Sequence, residues 1–222
     1  MTSILAFKIN DGNQMIVVGD TQHTYQCSTL QGSKIFPLKN LLFCGSGSDR
    51  VIEDMYGKSI TFKSQNNNCA KNIIKAQQEL IKEYEEIKRK YDPNLNIDFS
   101  DIINSSFMII NTKTLNGNIV NEKINRKMKK IDMIGSGEEH IGNLKLSDAD
   151  DFEFNETTKN KIFDKIIEIY SYLGKNDPYT GHPSIFDLEV YVLTKNNNPK
   201  KYVLSFKHKD SKIKKYDVVE ND

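Results

Sequence analysis

Thr2-Ser-Ile-Leu-Ala-Phe-Lys-Ile9 is followed by Asn10-Asp-Gly12 and then by Met15-Ile-Val-Val-Gly-Asp20, and this opening decides the fold. The first run has strand composition with rough alternation, Asn10-Asp-Gly12 is a turn signal, and Met15 to Val18 reads as a buried strand. The chain therefore opens as a β-hairpin that starts at its second residue. Termini commonly fray unless a sheet ties them down. A terminus built into a sheet is held in fixed geometry.

Working outward, Lys34-Ile-Phe-Pro-Leu38 and Leu41-Leu-Phe-Cys44 read as a second strand pair with Asn40 in the turn, closed by Gly45-Ser-Gly-Ser48. A helix is expected over 49–56 with Ser48 as N-cap. From Cys69 to Tyr91 the apolar positions Ile73, Leu80, Tyr84, Ile87 and Tyr91 recur at helical spacing, and Asp92-Pro93 ends the run. Phe107–Ile110 and Ile119-Val120 flank Asn116-Gly117, a hairpin signal. Ile131–Ile134 adds a strand that runs into Gly135-Ser-Gly137. A second amphipathic helix spans Asn155 to Leu173, with Ile162, Phe163, Ile166, Ile167, Tyr170 and Leu173 on its apolar side and Gly174 as its C-cap. Strands at Phe186–Leu193 and Tyr202–Phe206 complete the order, with Asn196-Asn-Asn198 as the loop tip between them. Hairpins dominate and strand–helix–strand alternation is rare. The pattern predicts an α+β fold of antiparallel sheets with helices on their outer faces, in a single domain over 1–222.

The composition excludes several classes. With a formal charge of +1 over 222 residues, the chain lacks the basic excess of a nucleic-acid binder. No apolar run reaches the roughly 20 residues needed to span a bilayer. The opening residues lack a secretory pattern, so a cytoplasmic location and no membrane partner are expected. Cys27, Cys44 and Cys69 show no metal-ligand spacing and suggest a reducing compartment. The histidines His23, His140, His182 and His208 are scattered without a paired motif, and neither a metal nor an organic cofactor is expected.

Chemistry enters at Met1-Thr2. Initiator methionine is removed when a small residue follows, which would leave Thr2 as the mature N-terminus. A free N-terminal threonine carries a hydroxyl nucleophile and an α-amine base in one residue. The reference pKa of that amine, roughly 7.7 to 8.0, lies much closer to neutrality than a lysine's. Asp20 closes the partner strand and can face Thr2 across the pair. Lys34 begins the next strand and can lie beside both, where its charge would disfavour protonation of the amine. An exposed Lys–Asp pair of little energetic consequence is the competing reading. Gly45-Ser-Gly47 and Gly135-Ser-Gly137 could cradle a phosphate, but neither matches the P-loop pattern nor lies in a βαβ unit.

Thr2-Ser3, the Asp-Gly turn, Gly19-Asp20, Lys34-Ile35 and Phe43-Cys44-Gly45-Ser-Gly47 follow the order seen in proteasome β subunits, and the chain equally resembles the HslV peptidase. Ile134-Gly-Ser136-Gly137 resembles the Gly-Ser-Gly after a central strand of that superfamily. Asp177-Pro-Tyr-Thr180-Gly181 resembles its Asp-x-x-Ser-Gly segment, with Thr180 in place of the serine. The resemblance implies a four-layer αββα sandwich, the N-terminal nucleophile (Ntn) hydrolase fold, and a threonine-type endopeptidase. It assigns Thr2, Asp20 and Lys34 to the catalytic core and Gly45 N–H to the oxyanion. Ser136, Asp177 and Thr180 become the groups around the nucleophile's amine. Phe43, with Gly47 and His23, becomes the substrate-binding set, with a shallow pocket for small P1 side chains. The implied substrate is a peptide or unfolded protein. The implied assembly is a homo-oligomeric ring, with an ATPase unfoldase or α-type subunits as partners. Two alternatives remain open: a connectase-type transpeptidase or ligase, in which an amine resolves the acyl-enzyme, and a catalytically silent structural subunit of a ring. The Ser64–Asn68 lead-in and the helix before Pro93 point to a helical region larger than usual for that superfamily.

Overall fold

The computed structural model describes residues 3–25, 28–61, 69–91, 104–121, 124–144, 146, 152–183, 185–206 and 216–221. In chain order the elements are β1 (Ser3–Ile9), β2 (Gln14–Asp20), β3 (Gln22–Tyr25), β4 (Ser28–Gln31), β5 (Ile35–Leu38), β6 (Leu41–Ser46), α1 (Asp49–Thr61) and α2 (Cys69–Tyr91). There follow β7 (Ser106–Asn111), β8 (Gly117–Val120), β9 (Asn125–Lys127), β10 (Ile131–Gly135), a 3-10 stretch (Ser136–Asn143), α3 (Lys159–Asn176), β11 (Leu188–Thr194), β12 (Lys200–Phe206) and β13 (Tyr216–Asn221).

Alternate residues of a strand face opposite sides, and the two main sheets use this to divide their apolar residues among three cores. The first sheet runs β10-β1-β2-β11-β12-β13, and the second runs β5-β6-β7-β8-β9. Every pairing in them is antiparallel. Ile4, Ala6, Met15 and Val17 of the first sheet meet Ile35, Leu42, Cys44, Met108 and Ile110 of the second. The opposite parity of β1 and β2, through Leu5, Phe7, Ile16 and Val18, packs on Phe163, Ile166, Tyr170 and Leu173 of α3. The outer face of the second sheet, through Phe43, Phe107 and Ile109, packs on Val51, Ile52 and Met55 of α1 and Leu80 of α2. The layers are therefore helix, sheet, sheet, helix, as the sequence pattern and the resemblance predict.

Several expectations needed correction. The turn between β7 and β8 is not the two-residue Asn116-Gly117 type. Ile110 pairs with Gly117, Asn111 N–H donates to Asn116 O, and Leu115 turns left-handed at φ 56°. The hairpin β3–β4 went unread because its strands lack apolar alternation. Tyr202–Phe206 is not the last strand, since β13 pairs with it at the sheet edge. Helix α3 starts at Lys159, after the Asn155 side chain has taken the N–H groups of Thr157 and Thr158. It also runs past Gly174 to Asn176. Gly174 is there for a close approach: a Cβ would sit 2.7 Å from the Cα of His182. No helix among the described residues is long and apolar enough to cross a membrane.

Phe163 is fully buried, with its ring 5.6 Å from that of Phe154 and 5.3 Å from that of Tyr202. Phe163→Ala is expected to cost about 3–5 kcal/mol through lost transfer energy and the cavity left behind. A urea unfolding curve will read this as a lower midpoint with an unchanged slope.

Candidate active site

Asp20, Lys34, Ser136, Asp177 and Thr180 converge at one end of the sandwich. The register that pairs Ile4 with Gly19 carries Asp20 opposite Ser3, one residue further along than the facing of Asp20 and Thr2 expected from the sequence. Asp20 Oδ2 accepts the Ser3 N–H at 3.2 Å, and Oδ1 accepts the Gln22 N–H at 3.0 Å. Lys34 Nζ stands 3.7 Å from Oδ1 and donates to the Gln22 carbonyl. Asp20 is 1% exposed and Lys34 2% exposed, so this is not the solvated surface pair of the competing reading. Burial pulls the Lys34 ammonium below the ordinary lysine value, while Asp20, Asp49 and Glu189 pull it back up.

A second group reaches the same end of β1. Ser136 Oγ donates to Asp177 Oδ2 at 2.5 Å, and Thr180 Oγ1 donates to the same oxygen at 2.5 Å. Ser3 Oγ lies 2.6 Å from Thr180 Oγ1 and accepts the Gly137 N–H at 2.8 Å. Each hydroxyl has one hydrogen. Thr180 spends its own on Asp177, so Ser3 must donate to Thr180. The result is a one-way chain from Gly137 N–H through Ser3 and Thr180 to the carboxylate. Ser136, Asp177 and Thr180 are thus brought together, and through Ser3 they meet Asp20.

Comparison with known proteins agrees at the level of fold. A mutant of Anbu from Hyphomicrobium sp. strain MC1 superposes with a TM-score of 0.61 at 13% identity, over 90% of this chain and 87% of that one. Anbu from the same organism gives 0.57 at 13% identity over the same shares. The BPH protein of Thiobacillus denitrificans gives 0.57 at 10% identity, over 89% of this chain and all of that one. The fold is of the Ntn type, shared with these Anbu structures. At these identities the likeness is one of fold alone. No family model matches the sequence, and no curated protein matches it.

Other expected residues are placed as follows. Met1 and Thr2 lie outside the described residues, as does the side chain of His23, whose backbone is in β3. Gly45 N–H, the expected oxyanion donor, gives its hydrogen to the Lys34 carbonyl at 3.0 Å. An oxyanion would have to take that N–H in exchange for the carbonyl. Phe43 is 1% exposed and packs on Phe107 at 5.4 Å and Tyr56 at 6.1 Å, enclosed under α1. Gly47 adopts φ 139°, and a Cβ there would lie 2.2 Å from Ser105 Oγ, so its backbone is what requires glycine.

Sequence reasoning missed Ser3 and Tyr170. The Tyr170 hydroxyl, fully buried on α3, reaches the carbonyls of Ser3 at 3.0 Å and Val18 at 2.7 Å. Its spacing marked it as an apolar helix position, and nothing in the sequence signals the polar end. Tyr170→Phe is expected to lower stability by about 1–3 kcal/mol, because a buried carbonyl loses its donor. A thermal melt monitored by circular dichroism will show the drop in Tm. Retention of the wild-type Tm would remove Tyr170 from the support of the chain start.

Proposed function

We propose that this protein is a threonine-type peptidase, with Thr2 as nucleophile and base once Met1 is removed. The observation that carries the reading is the position of Ser3. Its N–H is held by Asp20, Asp20 neighbours the buried Lys34 ammonium, and its side chain is held by the Asp177 group. Ser3, to which the nucleophile is bonded in this reading, is thereby held close to a cation, its counter-ion and a row of hydroxyls.

In this reading Thr2 Oγ attacks a peptide carbonyl and the α-amine takes the proton, then returns it to the departing amine as the C–N bond breaks and the acyl-enzyme forms. Lys34 disfavours protonation of the amine, and Asp20 orients Lys34. Gly45 N–H exchanges the Lys34 carbonyl for the oxyanion. Ser136, Asp177 and Thr180 position the chain start, and water releases the acyl-enzyme. The same reading includes a cytoplasmic setting and a homo-oligomeric ring, fed by an ATPase unfoldase or α-type subunits.

Intact mass with and without a threonine-directed electrophile tests it. The expected result is loss of Met1 and a single adduct, abolished in Thr2→Ala. Retained Met1 with no adduct would instead support the silent ring subunit. Incubation with an added amine-bearing peptide separates hydrolysis from ligation, and a peptide library tests the expected preference for small P1 side chains.

The pH profile has a defined sign. Burial disfavours the charged form of Lys34, so its proton leaves below the ordinary lysine value. If the ammonium is needed, adduct formation falls on the alkaline side below that value. Asp20→Asn removes the charge that raises Lys34, so the alkaline limb is expected to move to still lower pH. An unmoved limb in a folded Asp20→Asn protein would contradict the assigned coupling.

A further inference from the structure

One buried carboxylate near the site has no part in the proposed reaction. Glu189 lies on β11, 7% exposed, with Gly19 of β2 on one side and Val203 of β12 on the other. Its Oε1 takes Lys201 Nζ at 2.6 Å, and its Oε2 takes the Ser33 hydroxyl at 2.5 Å. Two residues along the strand, the Tyr191 hydroxyl stands 3.5 Å from the Ile35 carbonyl. Strand β11 thus reaches both neighbours of Lys34 in the chain.

We propose that Glu189 is a positioning residue for Lys34: it anchors Ser33 and adds its negative charge to those of Asp20 and Asp49 around the Lys34 ammonium, with Lys201 as its own counter-ion. The groups facing Lys34 are Asp20 from β2, Asp49 from the start of α1 and Glu189 from β11. Those facing Glu189 are Lys201 from β12, Ser33 and Lys34 from the segment before β5, and the buried Cys44 and Tyr191. A simple surface pair would leave a charged partner solvated. Here the carboxylate is buried, and its effect on Lys34 depends on how far Lys201 neutralises it.

That dependence makes two substitutions act in opposite directions. Glu189→Gln removes the negative charge in nearly the same volume, so the ammonium of Lys34 is less favoured. Lys201→Met removes the compensating cation, so the charge of Glu189 acts on Lys34 undiminished. General loosening of the site would move both variants the same way. Ser33→Ala leaves every charge in place and breaks only the anchor.

The catalytic consequence rests on the function proposed above, but the coupling does not. It is read by titrating the side-chain signals of the full chain with labelled lysine, with Lys34 assigned by its absence in Lys34→Arg. The Lys34 midpoint is expected to fall in Glu189→Gln and to rise in Lys201→Met. Ser33→Ala is expected to keep the midpoint and slow electrophile labelling at Thr2 about tenfold, through misplacement of Lys34. Midpoints that stay put in both charge variants, or that move in the same direction, overturn the proposal. If the wild type takes no label at Thr2, the peptidase reading fails while the titrations still decide the role of Glu189.

Discussion

The contact between Asp20 and Lys34 is the constraint on which the rest of this architecture depends. Two opposite charges have been taken out of water, at a desolvation cost of several kcal/mol per ion. Their attraction offsets this only with good geometry and further hydrogen bonds. The chain supplies those bonds from backbone: the N–H groups of Ser3 and Gln22 for the carboxylate, and the Gln22 carbonyl for the ammonium. Asp20 ends a strand of the first sheet, and Lys34 precedes the first strand of the second. The pair therefore clasps the two sheets at one end of the apolar core they share. At the far edge a second clasp joins them, the bidentate contact of Arg126 with Asp132.

The layers themselves were legible because apolar runs separated by turn residues survive as strands in any arrangement that buries both faces. Met15–Val18 and Phe107–Ile110 are of that kind, and both became central strands. What failed was what carries little apolar signal. Gln22–Tyr25 and Ser28–Gln31 form a hairpin without alternating hydrophobics. Tyr216–Asn221 is an edge strand that follows a lysine-rich stretch and shows Val218 and Val219 to solvent.

The site was legible in a different way. Asp20, Lys34, Ser136, Asp177 and Thr180 stood in an order that the resemblance made meaningful, and the fold draws them to one end of β1. The supports stayed hidden because a hydrogen-bond partner cannot be read from spacing. Tyr170 counts as apolar on a helix face, Glu189 sits among strand residues without a motif, and Ser3 was overshadowed by Thr2. The role of Gly174 was misread for a related reason: the neighbour that excludes its Cβ comes from a later loop.

The arrangement also sets a timetable. Ser3 lies 167 residues before Tyr170 and 177 before Thr180, yet it is those two side chains that hold it. During synthesis Ser3 emerges well before either of these side chains and must wait for both before its cradle exists. Closing a loop of that size is entropically costly and comes late in assembly. A half-made chain thus has no completed centre, and any reactivity of the finished molecule is withheld until helix α3 and the segment after it have docked.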